Sequence, residues 1–442
     1  MLKRSAYSEL LIWKYQRREE VQHKSLLIKG AKQVGKTFIA KSFGKEEYES
    51  YIYINLRKMK SLHCVFEGEI TSEEIIKRIT ANIPNVILIP KKTLIILDEI
   101  HYIDNAKEVL QVLSDDMRYD TIAIGKIDSD STKNNSFIKE ITMYPLGFEE
   151  FLWSYGFDSK TINSMAKYLE EPTEIPESIH NKFQNLFREY IVVGGMPEAV
   201  QDFAKNKDFS RVIEIQKKII SAYQTDIETS LNSRKSTLVK RCYNSIPNQL
   251  NNELKKFKYS KVEKGQTKRK YGSSILWIID AYMCYSCYNV NNTRVLPLEN
   301  AKKDQFKLYI NDTGLLTCMY GFETKRGILN DTIKGNVRSA IYENVIAQCL
   351  TYNGYDLYYY KPDDNHEVEF IIEKDGEVVP IEVKVGNRIS VSMEGIINDS
   401  TINTAYKCIG KRNNTREKSN VGSKVRIIPY YLIMYIRNSE II

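Results

Sequence analysis

The sequence predicts an α/β fold whose first domain is a parallel sheet built around a phosphate-binding loop. Three observations carry this. Gly30-Ala31-Lys32-Gln33-Val34-Gly35-Lys36-Thr37 is glycine, four residues, then Gly-Lys-Thr, the spacing of a phosphate loop. The apolar run Leu26-Leu27-Ile28 precedes it and Phe38-Ile39-Ala40-Lys41-Ser42-Phe43 follows, which supplies the strand–loop–helix setting that the motif needs. Further on, the apolar strand Leu94-Ile95-Ile96-Leu97 ends in Asp98-Glu99.

Each element has a chemical reason. The glycines let backbone N–H groups turn toward phosphate oxygens, and the helix N-terminus adds its positive dipole. Lys36 then neutralises the β and γ phosphates, and the Thr37 hydroxyl ligates Mg²⁺. Asp98 holds Mg²⁺ through water, while Glu99 polarises the attacking water. The expected catalytic residues are therefore Lys36, Asp98 and Glu99, with Thr37 and Asp98 at the metal. Gly30, Ala31, Lys32, Gln33, Val34, Gly35, Lys36, Thr37 and Phe38 form the nucleotide-binding stretch.

Ser50-Tyr51-Ile52-Tyr53-Ile54-Asn55-Leu56 and Thr121-Ile122-Ala123-Ile124 read as further strands of the same sheet. Gly125-Lys126-Ile127-Asp128 follows. It has the outline of the guanine-reading Asn/Thr-Lys-x-Asp, but Gly stands at its first position. Asp98-Glu99 is also not the Asp-x-x-Gly switch that accompanies that motif. ATP is the expected nucleotide.

A chain of 442 residues exceeds one ordinary core of about 100–200 residues, so several domains are expected. Hydrophobic residues at 42% and charged residues at 27% exclude a wholly disordered or collagen-like chain. The net charge of +8 hints at a polyanionic partner. The 30 tyrosines suit half-buried strand faces, with base stacking as the rarer use. Seven cysteines with one close pair, Cys284 and Cys287, read as reduced thiols rather than a zinc site. No apolar run approaches the roughly 20 residues of a membrane span, and Met1 to Lys14 lacks a secretory pattern. A cytoplasmic protein without membrane contact is expected.

Between Lys255 and Lys270, eight basic residues meet a single acid, Glu263, with Phe257, Tyr259 and Tyr271 interleaved or adjacent. Such a cluster fits DNA through phosphate neutralisation and stacking, or equally a solvated basic loop. Near the C-terminus, Asp375-Gly376 is a strong type I′ hairpin signal. Closing the turn there puts Lys374 opposite Glu377, Glu369 opposite Glu382, and Glu367 opposite Lys384. All of the latter four then share one face by period-two alternation. Two facing carboxylates repel unless a cation lies between them. Glu343, on a helix with Ala340, Ile346 and Ala347 as neighbours, is expected to point inward toward them.

The sequence resembles the bacterial and archaeal AAA-type ATPases that join an N-terminal ATPase to a C-terminal nuclease-like domain of unassigned function. The resemblance rests on Gly30 to Thr37, Leu97-Asp98-Glu99-Ile100-His101, Met143 to Leu152, Tyr190 to Glu198, Phe306 to Tyr309, Asp312-Thr313-Gly314-Leu315-Leu316 and Pro380 to Lys384. It implies an ATPase domain over 1–148, a helical lid over 149–226, a winged-helix-like segment over 227–325 and a restriction-endonuclease-like α/β domain over 326–442. Glu343, Glu369, Glu382 and Lys384 resemble the PD-(D/E)XK nuclease core, with Glu369 where Asp is usual. Gly125 to Asp128 departs from the family's Gly-Ser-type sensor, and Lys139 lacks its usual preceding Gly. The expected function is Mg²⁺-dependent ATP hydrolysis on or near DNA. Its alternatives are an ATP-regulated metal-dependent nuclease and a nucleotide-switched binding protein without turnover. An oligomer is compatible with each.

Overall fold

Strands that read as unbroken apolar runs are those with both faces covered, and they form the centre of the first sheet. The computed structural model describes residues 2–19, 24–127, 136–170, 174–384, 389–411 and 424–438. These fall into two compact units, Lys3–Tyr144 and Pro145–Ile442. Among the described residues no helix is long and apolar enough to cross a membrane.

In the first unit, β1 (Ser25–Lys29), β2 (Ser50–Asn55), β3 (Thr93–Asp98), β4 (Asp120–Ile124) and β5 (Ile138–Thr142) make a sheet in the order β2-β3-β4-β1-β5. All its pairings are parallel. β3 and β4 are buried along their whole length, whereas the edge strands β2 and β5 are only partly buried. The helix Lys36–Glu47 follows β1 through the phosphate loop. Leu27, Ile54, Ile95 and Leu97 pack with Ile75, Val109 and Leu110 into the core of this unit. The first helix, Ser5–Arg18, is tied down by Arg17, whose Nε donates to Asp120 Oδ1 at 2.6 Å while its Nη atoms cap carbonyls of Ser114, Asp116 and Tyr119.

In the second unit, helices from Phe148 to Asp280 lead into a mixed sheet. Its strands are β6 (Cys284–Val290), β7 (Ala301–Ile310), β8 (Leu357–Tyr360), β9 (Val368–Lys374), β10 (Glu377–Val383), β11 (Ala405–Ile409) and β12 (Val425–Pro429), in the order β12-β11-β10-β9-β8-β6-β7. β6 and β7 precede residue 325 and the others follow it, so both stretches share one sheet. The helix Gly335–Tyr352 is buried throughout Ala340–Leu350 and packs on β6, β7, β8 and β10. A helix buried on every side belongs in a core.

Val193-Gly194-Gly195-Met196-Pro197 and Asp312-Thr313-Gly314, far apart in sequence, interlock. Gly194 has φ +77°, and a Cβ there would lie 2.2 Å from Asp312 Oδ1. The Gly195 N–H donates to Asp312 Oδ2, and the Leu315 N–H donates to Oδ1 at 2.9 Å, capping the helix Thr313–Tyr320. A Cβ on Gly314 would lie 2.6 Å from the Gly194 backbone. Pro197 then occupies the first turn of the helix Pro197–Asn206, where its missing N–H costs nothing. Gln216 and Lys325 donate to the carbonyls of Val192 and Val193 that end the preceding helix.

This interlock is testable against Gly265, which has the same φ of +77° and open space around its missing Cβ. Gly265→Ala carries the backbone strain alone, about 1 kcal/mol. Gly194→Ala adds the collision with Asp312 and should destabilise by at least about 2 kcal/mol more. Urea denaturation of both variants checks the difference, and equal losses would mean that the Asp312 contact contributes nothing.

Candidate nucleotide site and the C-terminal acid cluster

The phosphate loop leaves β1 with Gly30 at φ +132°, where a Cβ would sit 2.0 Å from the Met143 carbonyl oxygen. No side chain fits beside the end of β5. Gln33 and Gly35 also take positive φ, +66° and +96°, which turns the loop around a concavity lined by backbone N–H groups. Ala31 and Val34 are buried beneath it. Arg4 holds the loop from outside, donating to the Val34 carbonyl and to the Tyr144 carbonyl, each at 2.8 Å. The Lys36 ammonium donates to the carbonyls of Gly30 (2.8 Å) and Ala31 (2.6 Å), so it lies across the mouth of the loop. Phe38 is 61% exposed on the first turn of the helix.

The loop and β3 meet at Asp98. Its Oδ2 accepts from Thr37 Oγ1 at 2.9 Å, from the Tyr53 hydroxyl at 2.7 Å and from Asn55 Nδ2 at 3.2 Å. Asn55 lies directly opposite Asp98 in the β2–β3 register. Burial pushes the Tyr53 phenol up to about 12, so it stays a donor at neutral pH. The Thr37 hydroxyl and the Asp98 carboxylate are hard oxygen donors in contact with each other, and that donor chemistry fits Mg²⁺. Glu99 follows with φ +60°, and its Oε2 lies 3.6 Å from His101 Nε2. Gly125 ends β4, while Asp128 lies outside the described residues.

Of these residues, Arg4, Tyr53 and Asn55 escape the motif reading, and His101 enters it without a role. Tyr53 and Asn55 had a signal: two polar groups two apart at the carboxyl end of a strand point to the same face. Arg4 had none, because only the fold brings residue 4 to residue 34.

In the second unit the hairpin closes on Asp375 (φ +54°) and Gly376 (φ +76°), with Lys374 opposite Glu377 and Phe370 opposite Ile381. Glu369 and Glu382 come next in that register. Both faces are buried, and each acid has a cationic or amide partner. Glu343 accepts from Lys255 at 2.7 Å, Ser339 at 2.8 Å and Tyr309 at 3.2 Å, with Lys307 at 3.6 Å. Lys307 also pairs with Glu367 at 2.5 Å. Glu382 meets Lys407 at 2.6 Å and Lys384 at 3.4 Å. Glu369 accepts the Val383 N–H at 3.0 Å, with Lys384 at 3.8 Å. Burial acts to raise the Glu343 carboxyl, but the adjacent Lys255 and Lys307 ammoniums outweigh it and hold the group down at about 2. Glu369 goes the other way, pushed up to about 7 by burial and then by the Glu343 charge. Among the described residues no group of three or more His, Cys, Asp or Glu is placed to hold a metal ion. In place of the expected convergence of Glu343, Glu369 and Glu382 on a metal, Glu343 and Glu382 pair with lysines outside the motif and Glu369 rests on the Val383 N–H beside Lys384.

The basic segment is corrected in the same way. Lys255 is buried against Glu343, Phe257 stacks on Phe306 with centroids 5.6 Å apart, and Tyr271 is buried with its hydroxyl on Glu263. Phe257 and Tyr271 are therefore core residues rather than stacking platforms. Lys258, Lys261, Lys264, Lys268 and Arg269 remain exposed. All seven cysteines are free thiols, and Cys284 and Cys287 are both buried on β6.

Residues 22–152 match the family model of the AAA domain, a span that takes in most of the first unit. Residues 184–326 and 338–432 match two domains of unknown function, DUF8612 and DUF4143. No curated protein matches the chain. Among solved structures it is similar to a Walker-type ATPase of Pyrococcus abyssi, at 15% identity and a TM-score of 0.40, covering 72% of this chain and 96% of that one. It is also similar to the ORC1 protein of Aeropyrum pernix, solved in complex with DNA, at 11% identity and a TM-score of 0.34, covering 75% and 93%. Similarity this distant says nothing of what this chain binds.

Glu369 predicts a pH dependence. An unfolded glutamate titrates near 4.5 and the folded one near 7, so folding favours its protonated form. That contribution is complete below pH 4.5 and is lost as pH rises through 7. Glu369→Gln keeps an acceptor for Val383 and never ionises. The variant should therefore gain stability relative to the wild type between pH 4.5 and pH 8. Urea midpoints at the two pH values test this, and a constant difference would refute it.

Proposed function

We propose that the chain binds ATP with Mg²⁺ at Gly30–Phe38 and hydrolyses it. The observation that supports this most is the Thr37–Asp98 contact of 2.9 Å, which joins the end of the phosphate loop to the carboxyl end of β3 with Glu99 adjacent. On this reading the backbone N–H groups of the loop receive the phosphates, and Lys36 exchanges the Gly30 and Ala31 carbonyls for phosphate oxygens. Thr37 and Asp98 would hold Mg²⁺, which would supply positive charge to the phosphates. Tyr53 and Asn55 keep the Asp98 carboxylate aimed. Glu99 accepts a proton from the water whose oxygen attacks the γ phosphorus. The bond from that phosphorus to the bridging oxygen breaks, and ADP leaves with the electron pair.

Lys36→Ala should weaken nucleotide binding at least about tenfold, because the phosphates lose a charge-assisted donor. Glu99→Gln should keep wild-type affinity and suppress turnover. Titration with a fluorescent ADP analogue alongside phosphate release measures both. Unchanged affinity in Lys36→Ala would exclude the loop as the binding site.

A second reading concerns the second unit. The helices Ser233–Leu250 and Lys268–Asp280 followed by the antiparallel β6–β7 pair support a winged-helix-like segment. The helix Gly335–Tyr352, the β9–β10 hairpin and the parallel strand β11 support a nuclease-like fold, whereas the ion pairing of Glu343, Glu369 and Glu382 lends no support to cleavage. Five exposed cations between Lys258 and Arg269 favour contact with DNA phosphates. Replacing Lys258, Lys261 and Lys264 by Gln should then flatten the log–log salt dependence of duplex binding by about 0.9 per lost contact. An unchanged slope and affinity would return the segment to a solvated loop.

A further inference from the structure

Gly125 has φ +136°, and a Cβ there would lie 3.1 Å from His101 Nδ1 and 3.2 Å from the Ile100 nitrogen. The end of β4 is thus bare backbone because the His101 imidazole sits against it. The other ring nitrogen, Nε2, faces Glu99 Oε2 at 3.6 Å, an electrostatic contact just beyond hydrogen-bonding range. Glu99 is itself left-handed, a backbone state that non-glycine residues seldom adopt. The short turn Ile100–Tyr102 that carries His101 is closed by the Tyr102 N–H on the Glu99 carbonyl at 3.1 Å. The turn backbone and the His101 ring thus both lie next to Glu99.

We propose that His101 is the positioning residue for Glu99, seated on Gly125 so that its imidazole sets the direction of the carboxylate that receives the water proton. This rests on the hydrolysis reading above and assigns a role to the close approach at Gly125. A Cβ at position 125 would crowd the His101 ring and force it to shift. His101 therefore acts on the chemical step through Glu99 and leaves the phosphate-loop contacts untouched.

The test uses the full chain with three variants, His101→Ala, His101→Gln and Glu99→Gln, followed by phosphate release, ADP affinity and melting temperature. His101→Ala should lower kcat about 10- to 100-fold, as loss of an orienting partner does, with KM, ADP affinity and melting temperature unchanged. His101→Gln, which restores a side-chain N–H of similar reach, should recover most of the loss. Wild-type kcat in His101→Ala, a loss that Gln does not rescue, or a parallel fall in affinity would overturn the proposal. If Glu99→Gln abolishes turnover while His101→Ala does not, this proposal alone fails. If the wild type shows no turnover, or Glu99→Gln leaves it intact, the hydrolysis reading fails and this one with it.

Discussion

Asp98 closes a fully buried strand with a charge, and the first unit is organised around satisfying it. Three donors converge on one carboxylate oxygen: Thr37 from the phosphate-loop helix, and Tyr53 and Asn55 from the neighbouring strand. A buried carboxylate left without such donors would carry its full desolvation cost. The three bonds consequently fix the loop, β2 and β3 at one height. Glu99 begins where that arrangement ends, which places a second acid next to the loop without burying it as deeply.

The second unit meets the same constraint with lysines. Glu343, Glu367 and Glu382 are each matched by an ammonium held within 2.7 Å, from Lys255, Lys307 and Lys407 respectively. Removing one partner of a buried pair leaves the other uncompensated, which generally costs about 3–5 kcal/mol. Lys255 thereby links the segment that precedes β6 to the helix that crosses the sheet. Glu343 and Glu382, which belong to the set that resembles a nuclease core, are thus charge-balanced by buried lysines.

Close backbone approach shapes both units at particular glycines. Gly30 admits the end of β5 beside the phosphate loop, and Gly194 admits the Asp312 carboxylate that caps the next helix but several. In each case a main-chain or carboxylate oxygen lies 2.0–2.2 Å from where a Cβ would stand, too close for one to fit. The requirement is for space as much as for a positive φ.

Local patterns determined much of what could be read in advance. The phosphate loop, the acid-ended strand and the Asp375-Gly376 hairpin are short-range features, and neighbours in sequence suffice to specify them. The hairpin fixes its own register, so the adjacency of Glu369 and Glu382 followed from two turn residues. The partners of those acids did not. Lys255, Lys307 and Lys407 lie in segments with no shared period, and Phe257 and Tyr271 look exposed in a basic run until Phe306 and Glu263 fold against them. Arg4 on the loop and His101 on Gly125 are likewise decided by contacts between distant segments. Spacing along the chain reports which groups share a strand or a turn. Which charge neutralises which depends on chain crossings that only the folded structure makes.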